Sequence, residues 1–480
     1  MLMSLFTVAL TAKYFGVSVE KDAWLLVSTL LSATTMMVWG PINETFRAKF
    51  IFIRERDSED KAVRAAVALF CGVVVITSVI ILVLALLHGP IARFSASDLS
   101  RDGIYWFGSL FLTLLPTLLI EEINNISSSI LNAYNIFYLP ELVATFTGIG
   151  YIAILMFLAP TVGIYALVAG QYMSTVSLTV VLFAALARKK IFSRAQLTSP
   201  DFRLLRPFVI YALPFFFPYA IGQLNAFGER WLAGLLGVGN ISILDFGRKF
   251  TVILQTVIGS ILTTMMVPLL ARAHSAGDNV DFAAKLNEHL SVIYGIMLLA
   301  VPLLFGGAYP LCDFLYHRGT VTAENIAEIT MLCRLYAAAF LGVMVYVIFG
   351  NILLSTERGK LYAFWGVLAQ IAVLGLNLGL VSTLGLIIFP LSLGTVHLLT
   401  GIVMWAKGRV RDSDTVRRML KFNLTVIFSS AVTYFVCGFL RFVNPFMSLA
   451  AVSFVVVILA IFLSPFVDIN PWTILRRIRK

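Results

Sequence analysis

The sequence has few charged residues and few of the side chains that usually perform catalysis or bind metals. Only 13% of its 480 residues are charged, about half the share found in soluble domains. Its five histidines are scattered and show no metal-ligand spacing. It also lacks a Walker loop, a dinucleotide-binding fingerprint and a recognisable nucleophile–base arrangement. These absences argue against an ATPase or another enzyme, and against a metal or other resident cofactor.

Cysteine is also scarce, with four residues that show no metal-binding spacing. Cys71 and Cys437 lie within apolar segments and are predicted to be small, buried packing residues. Cys312 and Cys333 flank one predicted outer loop and are expected to lie near each other. Spacing alone does not decide whether these two form a disulfide.

Apolar residues dominate what is present. They make up 59% of the chain, and the mean hydropathy is +0.92. Runs of about 20 apolar residues recur without the alternation of β-strands, which predicts an all-α integral membrane protein. We predict fourteen spans, near 2–16, 23–42, 62–87, 104–131, 139–159, 161–187, 207–236, 243–271, 286–309, 326–354, 360–381, 384–406, 421–441 and 446–464.

Basic residues are concentrated on one side of this predicted topology. The net charge is +11, which we attribute to loops held on the cytoplasmic side rather than to nucleic-acid binding. The opposite loops carry only scattered charges such as Arg93, Arg101, Arg318 and Arg441. Both termini are therefore predicted to be cytoplasmic. The clusters follow spans 2, 6 and 12 and end the chain: Arg47, Lys49, Arg54, Arg56, Lys61, Arg64; Arg188, Lys189, Lys190, Arg194, Arg203, Arg206; Lys407, Arg409, Arg411, Arg417, Arg418, Lys421; and 476–480.

An internal repeat with an offset of 221 to 223 residues suggests two duplicated six-helix lobes. An even number of spans per copy keeps both lobes in the same orientation, as in transporters with parallel repeats. The cleft between the copies is then the expected substrate site. The predicted domains are an N-lobe (1–190), a cytoplasmic linker (191–206), a C-lobe (207–407), and two extra helices with a basic tail (408–480). The similar segments are 10–17 and 231–238, 130–132 and 353–355, and 162–164 and 384–386.

The apolar stretch 214–248 contains polar residues at membrane depth, where ionisable groups usually face a cavity or the protein interior. Asn225 and Glu229 are four residues apart and share one helical face. Glu229 is a candidate for binding a cation or a proton, and the alternative is a structural pair with another helix. Arg230 is adjacent to it and points to a different face.

Two adjacent acids, Glu121 and Glu122, fall in the middle of the fourth span. Neighbouring carboxyls in a low dielectric favour a protonated form, so the pair is a candidate for proton coupling. The alternative is hydrogen bonding between helices by neutral acids. Which of the two applies depends on what the carboxyls contact.

Basic residues near the ends of spans are candidates for contacting an anionic headgroup. The guanidinium of Arg248, at the start of span 8, is a planar fork suited to phosphate oxygens, and Lys249 follows it. The alternative is snorkelling to lipid headgroups, which is the favoured interpretation for Lys13 near the end of span 1.

Several segments, in conserved order along nearly the whole chain, resemble the MviN/MurJ lipid II flippase family of the multidrug/oligosaccharidyl-lipid/polysaccharide exporter superfamily. Residues 131–140 are similar to its Leu-Asn-x-x-x-x-Phe-x-x-Pro turn, and 315–322 to its Leu-Phe-x-Arg-Gly-x-Phe-Thr outer loop. Residues 15–24 resemble its Phe-Gly…Asp-Ala-Phe opening. Residues 246–248 resemble its Ala-Asp-Arg, and 267–268 its Leu-Pro.

The resemblance implies fourteen helices in two lobes around a cavity, with spans 13 and 14 forming a groove for a lipid tail. It implies that Arg248 matches a pyrophosphate-contacting arginine and that Asp22 matches the family's acidic residue after span 1. Glu229 and Asn377 match ligands of a sodium site, so Na⁺ or H⁺ is the implied coupling ion. The family's span 1 arginines have no counterpart here, and Thr35 and Met36 replace its span 2 pair.

Three functions remain open on the sequence. The leading one is a flippase for a polyprenyl-pyrophosphate-linked glycan, either lipid II or a related surface-polysaccharide precursor, in the bacterial cytoplasmic membrane. The second is a cation-coupled multidrug exporter of the same superfamily. The third is a non-transporting scaffold of a polysaccharide assembly complex. Membrane lipids are implied partners in each case, and cell-wall or polysaccharide synthesis enzymes are further candidates.

Overall fold

The computed structural model describes residues 2–136, 138–189, 200–408, 413–440 and 444–467, and over these ranges the chain is helical and forms no strands. The all-α prediction is therefore confirmed. Chain contacts divide the protein into two compact units, Met1–Ser242 and Ile243–Lys480. Some sequence predictions lie outside the described residues: Phe137, most of the 191–206 linker, Lys190, Arg194, Arg409, Arg411, Arg441 and the basic tail.

The first unit consists of nine α-helices and the start of a tenth within its described residues. Its core lies where Phe46 stacks on Phe208 at 5.2 Å between ring centroids, close to the buried Phe50 and Leu182. The helices are α1 (Leu2–Tyr14), α2 (Val19–Val38), α3 (Gly40–Arg56), α4 (Glu59–Leu86), α5 (His88–Ser95), α6 (Ser100–Ala133), α7 (Tyr138–Val162), α8 (Tyr165–Arg188) and α9 (Arg206–Leu235).

The second unit continues the tenth helix and is built around one long, deeply buried helix, α14. α14 packs against α16, where Gly394 faces Ala339 and leaves no room for a side chain. The helices are α10 (Asn240–Ile261), a π-helical turn (Leu262–Met266), α11 (Val267–Ser275), α12 (Asn279–Phe305), α13 (Ala308–Tyr316), α14 (Ala323–Ser355), α15 (Gly359–Leu384), α16 (Ile388–Lys407), α17 (Ser413–Phe439) and α18 (Pro445–Leu463).

Length and hydropathy select ten helical segments of the described residues that can cross a bilayer, or eleven if α2 and α3 form one broken span. The segment Gly359–Lys407 counts as one of the ten, although a 3₁₀ turn starting at Gly385 divides it into α15 and α16. Gly385 has φ of 58°, a conformation that favours glycine. The fourteen-span count and the division into repeated lobes stay predictions.

The prediction of a loop directly after residue 42 is wrong, because residues 43–56 belong to α3. Pro41 occupies the first turn of that helix, where its missing N–H is not needed. α2 and α3 meet at an angle of 41°. The indole of Trp39, at the break, donates to the hydroxyl of Thr77 on α4 at 3.0 Å. The break therefore redirects the chain without ending the helical path.

The described side chains confirm the cysteine predictions except for Cys71, which was predicted to be buried and is half-buried. All four cysteines are free thiols. Cys312 and Cys333 are both buried, and the Cys333 thiol lies in hydrogen-bond contact with Cys312 while also donating to the carbonyl of Leu304 at 3.4 Å. The two residues are thus neighbours, as expected. Cys437 is buried and Cys71 is half-buried.

Candidate functional site

A buried carboxylate, Glu122, lies at the centre of a polar network inside the first unit. Its side chain is completely buried in α6. The amide nitrogen Nδ2 of Asn43, on α3, donates to its Oε2 at 3.0 Å. Nδ2 of Asn125, one turn later on α6, donates to its Oε1 at 3.2 Å. Each carboxylate oxygen therefore accepts one amide hydrogen bond, an arrangement that fits the ionised form of Glu122.

The neighbouring residues extend this network to α8. Glu121 points to a different face from Glu122 and accepts from Nε2 of Gln171 at 2.7 Å. Asn124 donates to the backbone carbonyl of Thr175 at 2.9 Å and accepts from the hydroxyl of Thr179 at 2.8 Å. The two acids thus have separate partners on α3 and α8. Helices α3, α6 and α8 are tied together by side chains that can rotate.

Asp22 has a different environment, because its partners are mostly backbone groups. It is fully buried in the first turn of α2. It accepts from the N–H groups of Gly239 and Ser242 at 2.5 and 2.8 Å, and from the Ser242 hydroxyl at 2.5 Å. These donors belong to the turn before α10 and to its first residues, where a helix attracts negative charge. The carboxylate anchors α2 to this turn and offers no exposed oxygen.

Arg248 is positioned by the packing of its neighbours in α10. Phe246 and Phe250 both contact the ring of Tyr316, with centroid distances of 4.6 and 5.7 Å. Gly247 lies so close to α14 that an added Cβ would come within 2.6 Å of the Leu332 Cβ. Because Arg248 is two residues from each phenylalanine, its side chain leaves the helix on roughly the opposite face. It is half-buried there.

The remaining predicted site residues except Lys13 lie on helices α9, α10 and α15. Glu229 is half-buried in α9 of the first unit, one turn after the buried Asn225. Asn377 is buried in α15 of the second unit, where its Oδ1 accepts from the Ser392 hydroxyl at 2.5 Å. Lys249 is half-buried beside Arg248.

Lys13 is exposed near the end of α1. Its ammonium lies 5.1 Å from the centroid of the Tyr14 ring. This position is what a snorkelling lysine would adopt, with its stem along apolar surface and its charge at the boundary. The structure therefore gives Lys13 no contact that distinguishes a substrate ligand from a membrane-surface residue.

The sequence matches a known family along most of the chain. The family model described as lipid II flippase MurJ matches residues 11–461. The chain belongs to the MurJ family. The family predicted from the sequence motifs is therefore confirmed, and the chain is a multi-pass membrane protein of that family.

Individual MurJ relatives match only in part. The lipid II flippase MurJ of Burkholderia cenocepacia is 26% identical over 262 residues, which are 52% of this chain and 50% of the relative. The probable lipid II flippase MurJ of Aquifex aeolicus is 22% identical over 337 residues, covering 68% of this chain and 64% of the relative. The chain thus spans about half the length of the Burkholderia relative that it matches.

Solved structures show the fold more completely. Lipid II flippase MurJ in an inward closed conformation superposes with a TM-score of 0.80 at 18% identity, covering 97% of this chain and 96% of that one. An inward-facing multidrug resistance transporter of the MATE family superposes with a TM-score of 0.75 at 13% identity, covering 86% and 96%. At these identities the likeness establishes a shared fold and nothing finer.

Sequence reasoning did not single out Asn43 or Gln171 in this MurJ-family chain. Asn43 follows the predicted end of span 2, and Gln171 is one polar residue in an apolar span. A usable signal existed for Gln171, since an amide inside a membrane helix needs a hydrogen-bond partner. What the sequence could not show is that their partners are Glu122 and Glu121, which are 79 and 50 residues away.

Proposed function

We propose that the protein moves a polyprenyl-pyrophosphate-linked glycan, lipid II or a related surface-polysaccharide precursor, across the bacterial cytoplasmic membrane by alternating access. The observation that carries this proposal is the match of the MurJ family model to residues 11–461, which includes nearly all of both units. The fold of a MurJ structure over 97% of the chain agrees with it. Membrane lipids are its surroundings, and enzymes of cell-wall or polysaccharide synthesis are candidate partners.

Arg248 is the residue we assign to the pyrophosphate. Its guanidinium can form two parallel hydrogen bonds to phosphate oxygens, which the ammonium of Lys249 cannot do. Phe246, Gly247 and Phe250 bury the other side of α10, so Arg248 projects away from that packing. Lys249 supplies a second positive charge nearby. Asp22, matched to the family's acidic residue, acts instead by holding the turn before α10.

Glu122 is the residue we assign to ion coupling, with Glu121 beside it. Both Glu122 oxygens face amide N–H donors, whereas a sodium ion needs several oxygen ligands around it. The site therefore lacks the set of oxygen ligands that Na⁺ needs, and we assign a proton as the coupling ion because it needs only one carboxylate oxygen, once an amide has rotated away. Glu229 and Asn377 are secondary candidates for ion coupling. The Asn377 oxygen already accepts a hydrogen bond from Ser392.

The test uses the purified full chain in vesicles that contain a fluorescent lipid-linked glycan. Transport is measured as the fraction of the glycan that becomes accessible to an added enzyme or quencher. We expect Arg248→Ala to lower the rate about tenfold or more, since a charge-assisted hydrogen bond contributes about 1.5–3 kcal/mol. The transport rate of Arg248→Lys should lie between those of the wild type and Arg248→Ala. Arg272→Ala is the matched control, because Arg272 is exposed in the last turn of α11.

The same vesicles separate the competing functions. Unchanged glycan exposure with the wild-type protein would overturn the flippase proposal and leave a scaffold. Uptake or efflux of small amphipathic cations, without glycan movement, would favour a drug exporter, which the MATE-like fold permits. Transport that is equal in the wild type and in Arg248→Ala would keep the activity and overturn the assignment of Arg248.

A further inference from the structure

A cavity in the second unit, whose lining does not include Arg248, contains an arginine in aromatic surroundings. Its volume is about 370 Å³. It lies where the end of α17 meets α13 and the first half of α14. This end of α17 is opposite the end that carries Arg417, Arg418 and Lys421. The lining residues are Tyr309, Arg334, Tyr434, Phe435, Cys437, Gly438 and Phe439.

Arg334 is the charged group of this cavity, and most of its donors are unused by the protein. It is half-buried, about three turns into the membrane-length helix α14. Its Nε donates to the carbonyl of Phe305, the last residue of α12, at 3.2 Å. Its guanidinium carbon lies 4.8 Å from the centroid of the Tyr434 ring. An arginine has five N–H donors, so four remain to be satisfied.

The ion pairs among the described residues do not include Arg334. A cation inside a membrane segment normally has a counter-ion, and here the protein provides a ring and one carbonyl instead. Capping of α12 explains the Nε contact, and snorkelling would explain a side chain that reaches the surface. Neither explains why the remaining N–H groups face a cavity large enough for a ligand.

The mouth of the cavity is bordered by apolar side chains that face outward. Phe435 and Phe439 are 68% and 89% exposed, and they lie one turn apart on α17. The same face continues along the helix as an exposed apolar stripe. It consists of Leu420, Leu424, Ile427 and Phe428. Because α17 is apolar enough to span a bilayer, this face meets lipid tails, and a molecule in the cavity would have acyl chains along it.

We propose that this cavity binds the phosphate headgroup of an anionic membrane phospholipid. The Arg334 guanidinium contacts the phosphate oxygens as a planar fork, and Tyr434 holds the guanidinium in place from one side. The acyl chains follow the apolar stripe of α17. Gly306 packs against the backbone of Tyr434, since an added Cβ there would come within 2.6 Å of the Tyr434 backbone nitrogen.

The test measures lipid binding by the purified full chain, by native mass spectrometry with added dioleoyl phosphatidylglycerol. Dioleoyl phosphatidylcholine has the same chains and serves as the zwitterionic comparison. We expect the wild type to retain one phosphatidylglycerol in preference to phosphatidylcholine. Arg334→Gln should weaken that binding about tenfold or more. Arg318→Gln is the matched control, because Arg318 also bonds a backbone carbonyl and lies over a phenylalanine ring, but on an exposed loop.

A second variant leaves Arg334 intact and fills the cavity. An added Cβ at Gly438 meets no atom within 4 Å, so Gly438→Leu should fold normally and block the ligand. Gly379→Leu is its control, because Gly379 is equally open but lies on the exposed face of α15. Equal phosphatidylglycerol binding in the wild type, Arg334→Gln and Gly438→Leu would overturn the proposal.

Inorganic phosphate distinguishes a lipid from a soluble anion. We expect phosphatidylglycerol to stay bound when inorganic phosphate is added at the same concentration, because the acyl chains contribute to the affinity. Displacement at equal concentration would show that the cavity takes free phosphate, and would overturn the lipid assignment. None of these outcomes depends on glycan transport. A failure here leaves the flippase proposal standing, and the reverse also holds.

Discussion

Two buried carboxylates of the first unit show how the kind of donor decides what an acid can do. Asp22 is held by two backbone N–H groups and a serine, all in the turn before α10 or in its first residues. Protonating it would leave fixed donors without an acceptor. Glu122 is held by the side chains of Asn43 and Asn125. Those amides can rotate and present an oxygen instead, so Glu122 can change its protonation state with a local rearrangement.

At this scale we predict that Glu122→Gln abolishes the dependence of transport on pH. Glutamine has the same shape and keeps one acceptor oxygen, but it cannot ionise. The expected result is folded protein whose rate of glycan transport in vesicles is the same from pH 6 to about pH 8. The wild-type rate should change over that range.

The control is Glu55→Gln, because Glu55 is exposed and pairs only with the neighbouring Arg54 among its described contacts. That variant should keep the wild-type pH profile. If Glu122→Gln also keeps the wild-type pH profile, Glu122 is not the group whose protonation controls transport, and Glu121 is the next candidate.

At the scale of helices, the close contact between α14 and α16 depends on residues without side chains. A Cβ at Gly394 would lie 2.7 Å from the Ala339 Cα, and one at Gly401 would lie 2.7 Å from the Tyr346 nitrogen. Small residues permit such approach in membranes, where packing rather than the hydrophobic effect holds helices together. The close contact between α14 and α16 is therefore a main part of the packing inside the second unit.

We predict that Gly394→Leu destabilises the protein by about 1–3 kcal/mol or more, because the side chain must displace the α14 backbone. Thermal unfolding of the detergent-purified chain, followed by tryptophan fluorescence, measures this as a lower midpoint. Gly379→Leu should unfold like the wild type, since its side chain meets open space. Equal midpoints for the two variants would mean that α14 and α16 are not packed as described.

The sequence predicted the helices much better than their partners. The apolar runs placed most ends within a few residues of those observed. α3 was missed because its sequence is polar and basic, and a helix at a membrane surface need not be apolar. The Asn43–Glu122 contact was unpredictable for another reason. It joins positions 79 residues apart, and nothing local to either one specifies the other.

For the whole molecule, the comparisons identify the fold and the family but do not identify the substrate or the coupling ion. The fold and the family follow from the chain as a whole, since the family model extends over 11–461 and the MurJ structure over 97% of the chain. Substrate and coupling depend on single residues, and a structural match at 18% identity does not transmit them. The resemblance sets Thr35 and Met36 opposite the family's paired span 2 arginines, so Arg248 is the residue on which we propose to test substrate recognition first.

The membrane orientation is a whole-molecule property that the distribution of charge predicts. Basic residues flank α3, α8 and the start of α17, and the positive-inside rule places these regions in the cytoplasm. We therefore predict that Arg318→Cys is labelled by a membrane-impermeant maleimide in intact spheroplasts and that Lys61→Cys is labelled only after lysis. Both positions are exposed in the structure. A cysteine that does not react with the maleimide is therefore shielded by the membrane and not by burial in the protein.

The background for this experiment is a Cys71→Ala chain, because Cys71 is half-buried while Cys312, Cys333 and Cys437 are buried. The unsubstituted Cys71→Ala chain should give no signal in intact spheroplasts. Labelling of Lys61→Cys from outside would place the α3–α4 turn on the outer face. That result would overturn the prediction that the basic loops and both termini are cytoplasmic.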